Sequence, residues 1–183
     1  MQRGSTGGKF RAVRRPTIAV CGASGALTPE LERLAEELGG EIWRAGFDLV
    51  CGGQDGVMEA VSRGYAQARG DRPGTIIGIL PGSAAADANA YCDLVVPTGL
   101  GYARNTLVVL AGDGIVLCGG GSGTLSEAAF AWQFGKPIAA LEPSGGWARE
   151  LAGRALDGRR ADRIHAATTP ADAVAWLKAR LAA

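Results

Sequence analysis

Short apolar segments alternate with amphipathic segments from Thr17 onward. The apolar segments are three to six residues long, are rich in Val, Ile and Leu, and are bounded by glycine or polar residues, as buried strands are. This pattern predicts strands at residues 17–21, 48–51, 75–80, 94–96, 114–117 and 138–141. The single histidine, His165, is expected in or beside a short terminal strand.

The segments between these strands show helical periodicity. The clearest spans residues 29–44, where Pro29 suits the first turn and apolar side chains recur on one face. That face consists of Leu31, Leu34, Ala35, Leu38 and Ile42. Further helices are predicted to begin near Gly56, Ala103, Thr124 and Trp147, and a final helix to span residues 170–181. Because strands that alternate with helices pair in parallel, we predict an α/β fold: a Rossmann-like three-layer sandwich with a mostly parallel sheet, in a single domain.

Composition narrows the class of protein. A chain of 183 residues, 47% apolar and 20% charged, suits one globular domain. No apolar run approaches the roughly 20 residues that span a bilayer, and the N-terminus lacks the apolar core of a secretory signal, so we expect a cytoplasmic protein with no membrane partner. The four cysteines form no CxxC pair and are expected as reduced thiols. Three of them, Cys21, Cys51 and Cys118, end predicted strands and are expected to be buried as small apolar residues.

Positive charge is concentrated at the start of the chain. The formal net charge is +1, yet the first 16 residues hold five basic residues and no acid, which leaves about −4 on the remainder. We therefore predict a flexible basic tail at residues 1–15 and a nucleotide- or phosphate-binding domain at residues 16–183. A folded domain without clustered Lys and Arg argues against nucleic acid as a partner.

Glycine-rich turns follow three of the predicted strands. Ligands of open parallel sheets bind beyond the carboxyl ends of the strands, where glycine lets backbone N–H groups approach an anion and a helix N-terminus adds positive partial charge. Any one such turn could simply be a tight connection, but three together favour a site for a small phosphorylated, nucleotide-like ligand. The predicted binding residues are Gly22, Ser24, Gly52, Gly53, Gly120, Gly121, Ser122, Gly123 and Thr124. No turn has the Gly-Lys-Ser/Thr of a P-loop, and none combines GxGxxG with a downstream acid, so ATP hydrolysis and NAD binding receive little support.

Two charged residues accompany these turns, and each has two interpretations. Glu127 either closes a capping box with Thr124 as the N-cap or is a catalytic carboxylate at the ligand. Arg104 falls near a predicted helix start, where the helix dipole disfavours a cation, so something anionic should compensate it. That partner is either a neighbouring acid on the surface or a ligand phosphate or Glu127.

The segment Gly119-Gly120-Gly121-Ser122-Gly123-Thr124-Leu125-Ser126-Glu127 resembles the PGGxGTxxE signature of the Lonely Guy phosphoribohydrolases, which were long called lysine decarboxylases. The resemblance extends from Ile18 to Leu141, and Arg104 matches the catalytic arginine of that family. Gly119 replaces the proline of the signature, and Gly-Tyr-Ala-Arg-Asn replaces the usual His-x-Arg-Lys. The latter version is closest to a side branch that includes the molybdenum cofactor carrier protein.

The resemblance implies two functions. In the first, the protein is a nucleoside 5′-monophosphate phosphoribohydrolase that needs no cofactor or metal, in which Glu127 and Arg104 carry the chemistry and the third glycine turn holds the phosphate. Asp55 and Glu59 are candidates for a second carboxylate. In the second, the same turns hold the phosphate of the molybdenum cofactor, a pterin, or of another nucleotide without transforming it.

The resemblance also implies self-association. Members of the resembled families are homo-oligomers, so a homodimer or homotetramer is expected. The helix that carries Trp132 and Phe134 is a candidate for the contact between subunits.

Overall fold

A computed structural model describes residues 14–182. Seven strands form one sheet: β1 Thr17–Gly22, β2 Asp48–Cys51, β3 Ile76–Leu80, β4 Leu94–Pro97, β5 Gly114–Cys118, β6 Ile138–Leu141 and β7 His165–Ala167. Six α-helices surround it: α1 Pro29–Arg44, α2 Val57–Arg69, α3 Asn105–Ala111, α4 Ser122–Gln133, α5 Gly146–Leu151 and α6 Pro170–Leu181. Short 3-10 turns occupy Ala85–Asp87, Gly101–Arg104 and Glu142–Ser144.

All strand pairs of this sheet are parallel, and the strand order is β4-β3-β2-β1-β5-β6-β7. The predicted α/β fold is confirmed, and β7 begins at His165 as expected. From β1 the chain first builds outward to β4 and then returns to place β5 on the other side of β1. This reversal opens a crevice between the carboxyl ends of β1 and β5, which is where open sheets bind ligands.

The core lies in two layers, one on each face of the sheet. Along β1, Ile18 and Val20 point toward α1, α2 and α6, whereas Ala19 and Cys21 point toward α3, α4 and α5. This alternation follows from the period of two in a strand, and burial on both faces explains why the strands read as continuous apolar runs. Cys51 at the end of β2 is buried with no exposed surface, and Cys118 ends β5 in the same way, as predicted.

Local signals set the ends of two helices. Thr28 caps α1 by accepting from the Leu31 N–H at 3.3 Å, and Pro29 follows it in the first turn. Thr169 caps α6 in the same way, accepting from the Asp172 N–H at 3.1 Å. Within residues 14–182 no helix is both long and apolar enough to cross a bilayer.

Most of the predicted basic tail, residues 1–13, lies outside the described part of the chain. Its last two residues contact the folded domain. Arg14 pairs with Asp113 at 2.6 Å, and Arg15 lies 3.4 Å from Asp48. Asp113 also accepts from the Thr17 N–H at 2.8 Å, so it fixes the start of β1.

Candidate functional site

A cavity of about 100 Å³ opens in the crevice between β1 and β5. The ends of four separate strands contribute to its walls, because parallel strands end at the same edge of the sheet. Its polar lining consists of Gly22, Ser24, Gly52, Gln54, Tyr102, Arg104, Asn105, Gly123, Thr124 and Glu127. The structure therefore brings Arg104 and Glu127 together with residues from all three glycine-rich turns.

Arg104 ends the 3-10 turn directly before α3 and is 8% exposed. Its Nε is buried without a hydrogen-bond partner, and no carboxylate among residues 14–182 lies within 4.0 Å of the guanidinium group. The interpretation of Arg104 as a surface arginine paired with a neighbouring acid is therefore wrong. A buried cation without a partner is costly, and an anion in the cavity would compensate it.

Gly52 makes room for that guanidinium group. A Cβ atom at Gly52 would lie 2.5 Å from Nη2 of Arg104 and 2.5 Å from the Met58 sulfur. The sequence suggested that this glycine lets the backbone approach a phosphate. The contact with Arg104 gives it a second role, since any side chain there would push the guanidinium group or the Met58 side chain out of its present position.

The third glycine turn leads into α4 one turn earlier than the capping box required. Gly121, not Thr124, is the N-cap of α4, and no side chain caps it, so the capping-box interpretation of Glu127 is wrong. No described group accepts from the backbone N–H of Ser122, Gly123 or Thr124. Because the first N–H groups of a helix lack partners within it and carry the positive end of the dipole, they are available to an anion.

Thr124 adds a hydroxyl to the same wall. The side chain is 2% exposed, and its Oγ1 is buried without a partner. An unpaired buried hydroxyl costs free energy unless a ligand or water completes it. Together with Arg104, it gives the cavity two polar groups that lack partners in the described chain.

Glu127 lies in the second turn of α4 and is 6% exposed. Burial raises the pKa of its carboxyl group to about 7, although the nearby Arg104 acts in the opposite direction. Burial and the proximity of Glu127 likewise raise the pKa of the Cys21 thiol at the end of β1. The cavity thus combines a cation, helix N–H donors and an acid that can gain or lose a proton near neutral pH.

The first two glycine turns are joined to each other. The Val57 N–H donates to the Ala23 carbonyl at 2.9 Å, and the Gly25 N–H donates to Asp55 at 3.1 Å. A Cβ atom at Gly22 would lie 2.5 Å from the Val57 side chain, so this glycine also serves the packing of α2 on β1. Asp55 and Glu59, the candidates for a second carboxylate, line a separate hollow beside this junction and not the cavity.

Four of the predicted binding residues do not line the cavity, namely Gly53, Gly120, Gly121 and Ser122. Gly53 has a φ of +73° and packs against Gly78, and its carbonyl accepts from the Asn89 N–H at 2.8 Å. The Gly120 carbonyl accepts from the Trp147 N–H at 3.1 Å, which ties the third turn to the start of α5. These residues shape the turns that carry the lining residues.

Tyr102 and Asn105 are two of the lining residues that were not predicted. Tyr102 is 90% exposed at the mouth of the cavity, and Asn105 is 6% exposed inside it. Both belong to the Gly-Tyr-Ala-Arg-Asn segment, which was noted only because it carries Arg104 and differs from the usual context. That difference was the one signal that could have identified them.

This fold and this cavity define a Rossmann-like protein with a polar cavity at the switch point of a parallel sheet. The chain belongs to the SLOG cluster4 family, whose model matches residues 15–174. A curated relative from Archaeoglobus fulgidus, described as an uncharacterized protein, is 39% identical over 126 residues, which are 69% of this chain and 80% of that protein.

Solved structures resemble the chain over nearly its whole length. The X-ray structure of TM1055 gives a TM-score of 0.81 at 36% identity and covers 90% of this chain and 99% of the other. The molybdenum cofactor binding protein of Rippkaea orientalis gives 0.80 at 33% identity, covering 93% and 99%. The molybdenum cofactor carrier protein of Chlamydomonas reinhardtii gives 0.75 at 31% identity, covering 93% and 100%. The suspected family and its side branch are thereby confirmed.

Proposed function

We propose that this protein binds the molybdenum cofactor, a phosphorylated pterin, and carries it without transforming it. The observation that supports this most is the set of unpaired donors in one cavity: the Arg104 guanidinium group, the Thr124 hydroxyl and the N–H groups of Gly123 and Thr124 in the first turn of α4. The named functions of the Rippkaea and Chlamydomonas proteins support the choice of cargo.

The size of the cavity indicates which part of the ligand it would hold. A volume of about 100 Å³ suits the phosphate end, which Arg104, Thr124 and the α4 N-terminus would hold through charge-assisted hydrogen bonds. The bulk of the cargo would extend past Tyr102, whose exposed ring offers a flat apolar surface to a heterocycle. Every group in this assignment binds or orients the cargo.

Phosphoribohydrolase activity is the alternative, and Glu127 favours it. A buried carboxyl group near an arginine could stabilise the oxocarbenium-like transition state of glycosidic bond cleavage. Hydrolysis also requires activation of water, and Asp55 and Glu59 line the neighbouring hollow instead of the cavity. The cavity therefore offers one carboxylate where most glycosidases use two.

Incubation with ligands separates these two functions. We expect the purified protein to bind molybdenum cofactor released anaerobically from a molybdoenzyme, with a Kd of roughly micromolar or lower. We also expect it to return the cofactor unchanged to an apo-molybdoenzyme. We expect no free base and no ribose 5-phosphate from AMP, GMP, CMP or UMP. Base release that the Glu127→Gln variant loses would establish the hydrolase and refute the carrier.

We also propose self-association through the β4 end of the sheet. Leu94 and Val96 of β4 are 52% and 39% exposed, and Val96 pairs in register with Ile79, which packs in the same layer as Val108 of α3. Leu94 and Val96 therefore lie on the α3 side of the sheet, and α3 itself exposes Leu110, which is 50% exposed. A second copy that covers this face would bury an apolar surface of the kind that marks interfaces.

Trp132 is not available for such a contact. It is 2% exposed within its own chain, and its indole N–H donates to Asp157 at 2.8 Å. Trp132 itself therefore offers no surface to a second subunit, and we place the contact at α3 and β4. Phe134, at the end of the same helix, is 42% exposed.

Light scattering after size exclusion tests this interface. We expect the wild type to elute as a dimer or tetramer and Leu110→Glu to dissociate it, because a buried carboxylate in an apolar contact is costly. Ala175→Glu, on the exposed face of α6 across the sheet, is the matched control and should leave the mass unchanged. A wild type at the monomer mass would refute self-association, and an oligomeric Leu110→Glu variant would refute this surface.

A further inference from the structure

Asn105 is the first residue of α3 and lines the cavity directly after Arg104. Its side-chain nitrogen Nδ2 lies 3.0 Å from the Ser126 hydroxyl and 3.5 Å from the Gly123 carbonyl, both on α4. The shorter contact is a good hydrogen bond and the longer one a weak bond. Asn105 therefore links the start of α3 to the first turns of α4.

The hydrogen bonds around Ser126 fix the orientation of this amide. The Ser126 hydroxyl donates to the Gly123 carbonyl at 2.6 Å, so its oxygen is left to accept from Asn105. The Gly123 carbonyl can only accept. Both contacts therefore require the nitrogen of Asn105 to face α4, and its oxygen Oδ1 faces away from that helix.

Oδ1 is an acceptor without a donor in the described chain. No side chain or backbone N–H of residues 14–182 donates to it, and it is not among the side-chain atoms that are both fully enclosed and unpaired. Oδ1 therefore keeps some exposed surface, and Asn105 is a residue of the cavity wall. The neighbouring groups that lack partners, Arg104 and the N–H groups of α4, are donors, so a phosphate satisfies them and leaves Oδ1 unpaired.

We propose that Asn105 determines specificity in this site by selecting phosphorylated ligands that carry a hydroxyl or N–H donor beside the phosphate. This inference rests on the proposed anion site. Inorganic phosphate would fill the donors but offer Oδ1 only a phosphate proton or water. A sugar phosphate or a pterin phosphate brings its own donors. Sites built to hydrogen-bond a substrate reject analogues that lack the group, because the protein atom is then left unpaired.

Calorimetric titration with two simple probes tests this inference. We expect the wild type to bind ribose 5-phosphate about tenfold more tightly than inorganic phosphate, and 2-deoxyribose 5-phosphate to fall between them. Asn105→Leu should reduce the preference for ribose 5-phosphate to about twofold or less. Asn105→Asp retains an acceptor oxygen, and its second oxygen can accept from the Ser126 hydroxyl in place of the lost donor. It should therefore keep the preference while its added charge weakens both ligands.

A second variant guards against failure of Asn105→Leu to fold. Ser126→Ala removes the hydroxyl that orients the amide but leaves Oδ1 in place, so it should lower the preference partially, with thermal melting as the check on folding. A wild type that binds both probes equally, or an Asn105→Leu variant that keeps the preference, would overturn the role of Asn105 and leave the anion site intact. If neither probe bound, or if their binding were unaffected by Arg104→Gln, the anion site itself would instead be overturned.

Discussion

Replacement of Glu127 by glutamine is expected to stabilise the ligand-free protein at pH 8 by up to about 3 kcal/mol. Burial raises the pKa of this carboxyl group from 4.5 to about 7, so ionisation in the folded state is disfavoured relative to the unfolded chain. The wild type therefore loses stability as the pH rises from about 4.5 through about 7. Glutamine has nearly the same shape and cannot ionise, so it escapes this loss.

The measurement is urea unfolding of both proteins at pH 4.5 and pH 8. The two curves should nearly coincide at the lower pH, where the carboxyl group is protonated in the folded state and half protonated in the unfolded chain, a difference of only about 0.4 kcal/mol. They should separate at the higher pH. Glu150→Gln is the control, because Glu150 is exposed and pairs with Arg154 only at 3.8 Å. If Glu127→Gln were no more stable than the wild type at pH 8, the carboxyl group would not be strained by its surroundings.

This prediction bears on function as well as stability. A residue that destabilises the free protein and lies in a cavity is a candidate for a role toward a ligand. In a carrier, a protonated Glu127 could donate a hydrogen bond to bound cargo without repelling its phosphate. In a hydrolase, the ionised form would be required, so activity would rise through about pH 7 while stability falls.

Local sequence signals were sufficient for several elements. Strands β2 and β6 and helices α1 and α6 begin and end where the pattern placed them. At α1 and α6 the reason is visible in the residues themselves, since a threonine cap and a proline in the first turn mark each start. Where the helix start lacks such a capping side chain, as at α3 and α4, the predicted start differs from the observed one by two residues. Gly121 caps α4 through its backbone alone.

The main charged residues of the candidate site could also be predicted from the sequence. Parallel strands bring their following turns to one edge, so the convergence of Arg104 and Glu127 followed from the fold class and the family resemblance. Asn105 could not be found in this way, because its role depends on how closely α3 approaches Ser126 of α4. Periodicity defines which face of a helix is buried but not which polar side chain meets a neighbouring helix. The same limit applies to Gly52, whose contact is with a side chain 52 positions away.

That contact makes Gly52→Ala a direct test of the anion site. The added methyl group would lie 2.5 Å from Nη2 of Arg104 and 2.5 Å from the Met58 sulfur, so the guanidinium group must leave its position. Because charge-assisted hydrogen bonds contribute about 1.5 to 3 kcal/mol, we expect the affinity for ribose 5-phosphate to fall roughly tenfold to a hundredfold. Gly158→Ala is the matched control, since a Cβ atom there meets nothing within 4 Å.

Comparison with Arg104→Gln shows whether the loss passes through the arginine. If Gly52→Ala acts by displacing the guanidinium group, the double variant should bind ribose 5-phosphate about as weakly as Arg104→Gln alone, because the second change has nothing left to remove. If Gly52 instead serves mainly to let its backbone approach the phosphate, the two losses should add. Calorimetry on the four proteins distinguishes the outcomes, and additive losses would contradict the role assigned to Gly52. Coupled losses would mean that the position of the Arg104 guanidinium group depends on the absence of a side chain at Gly52.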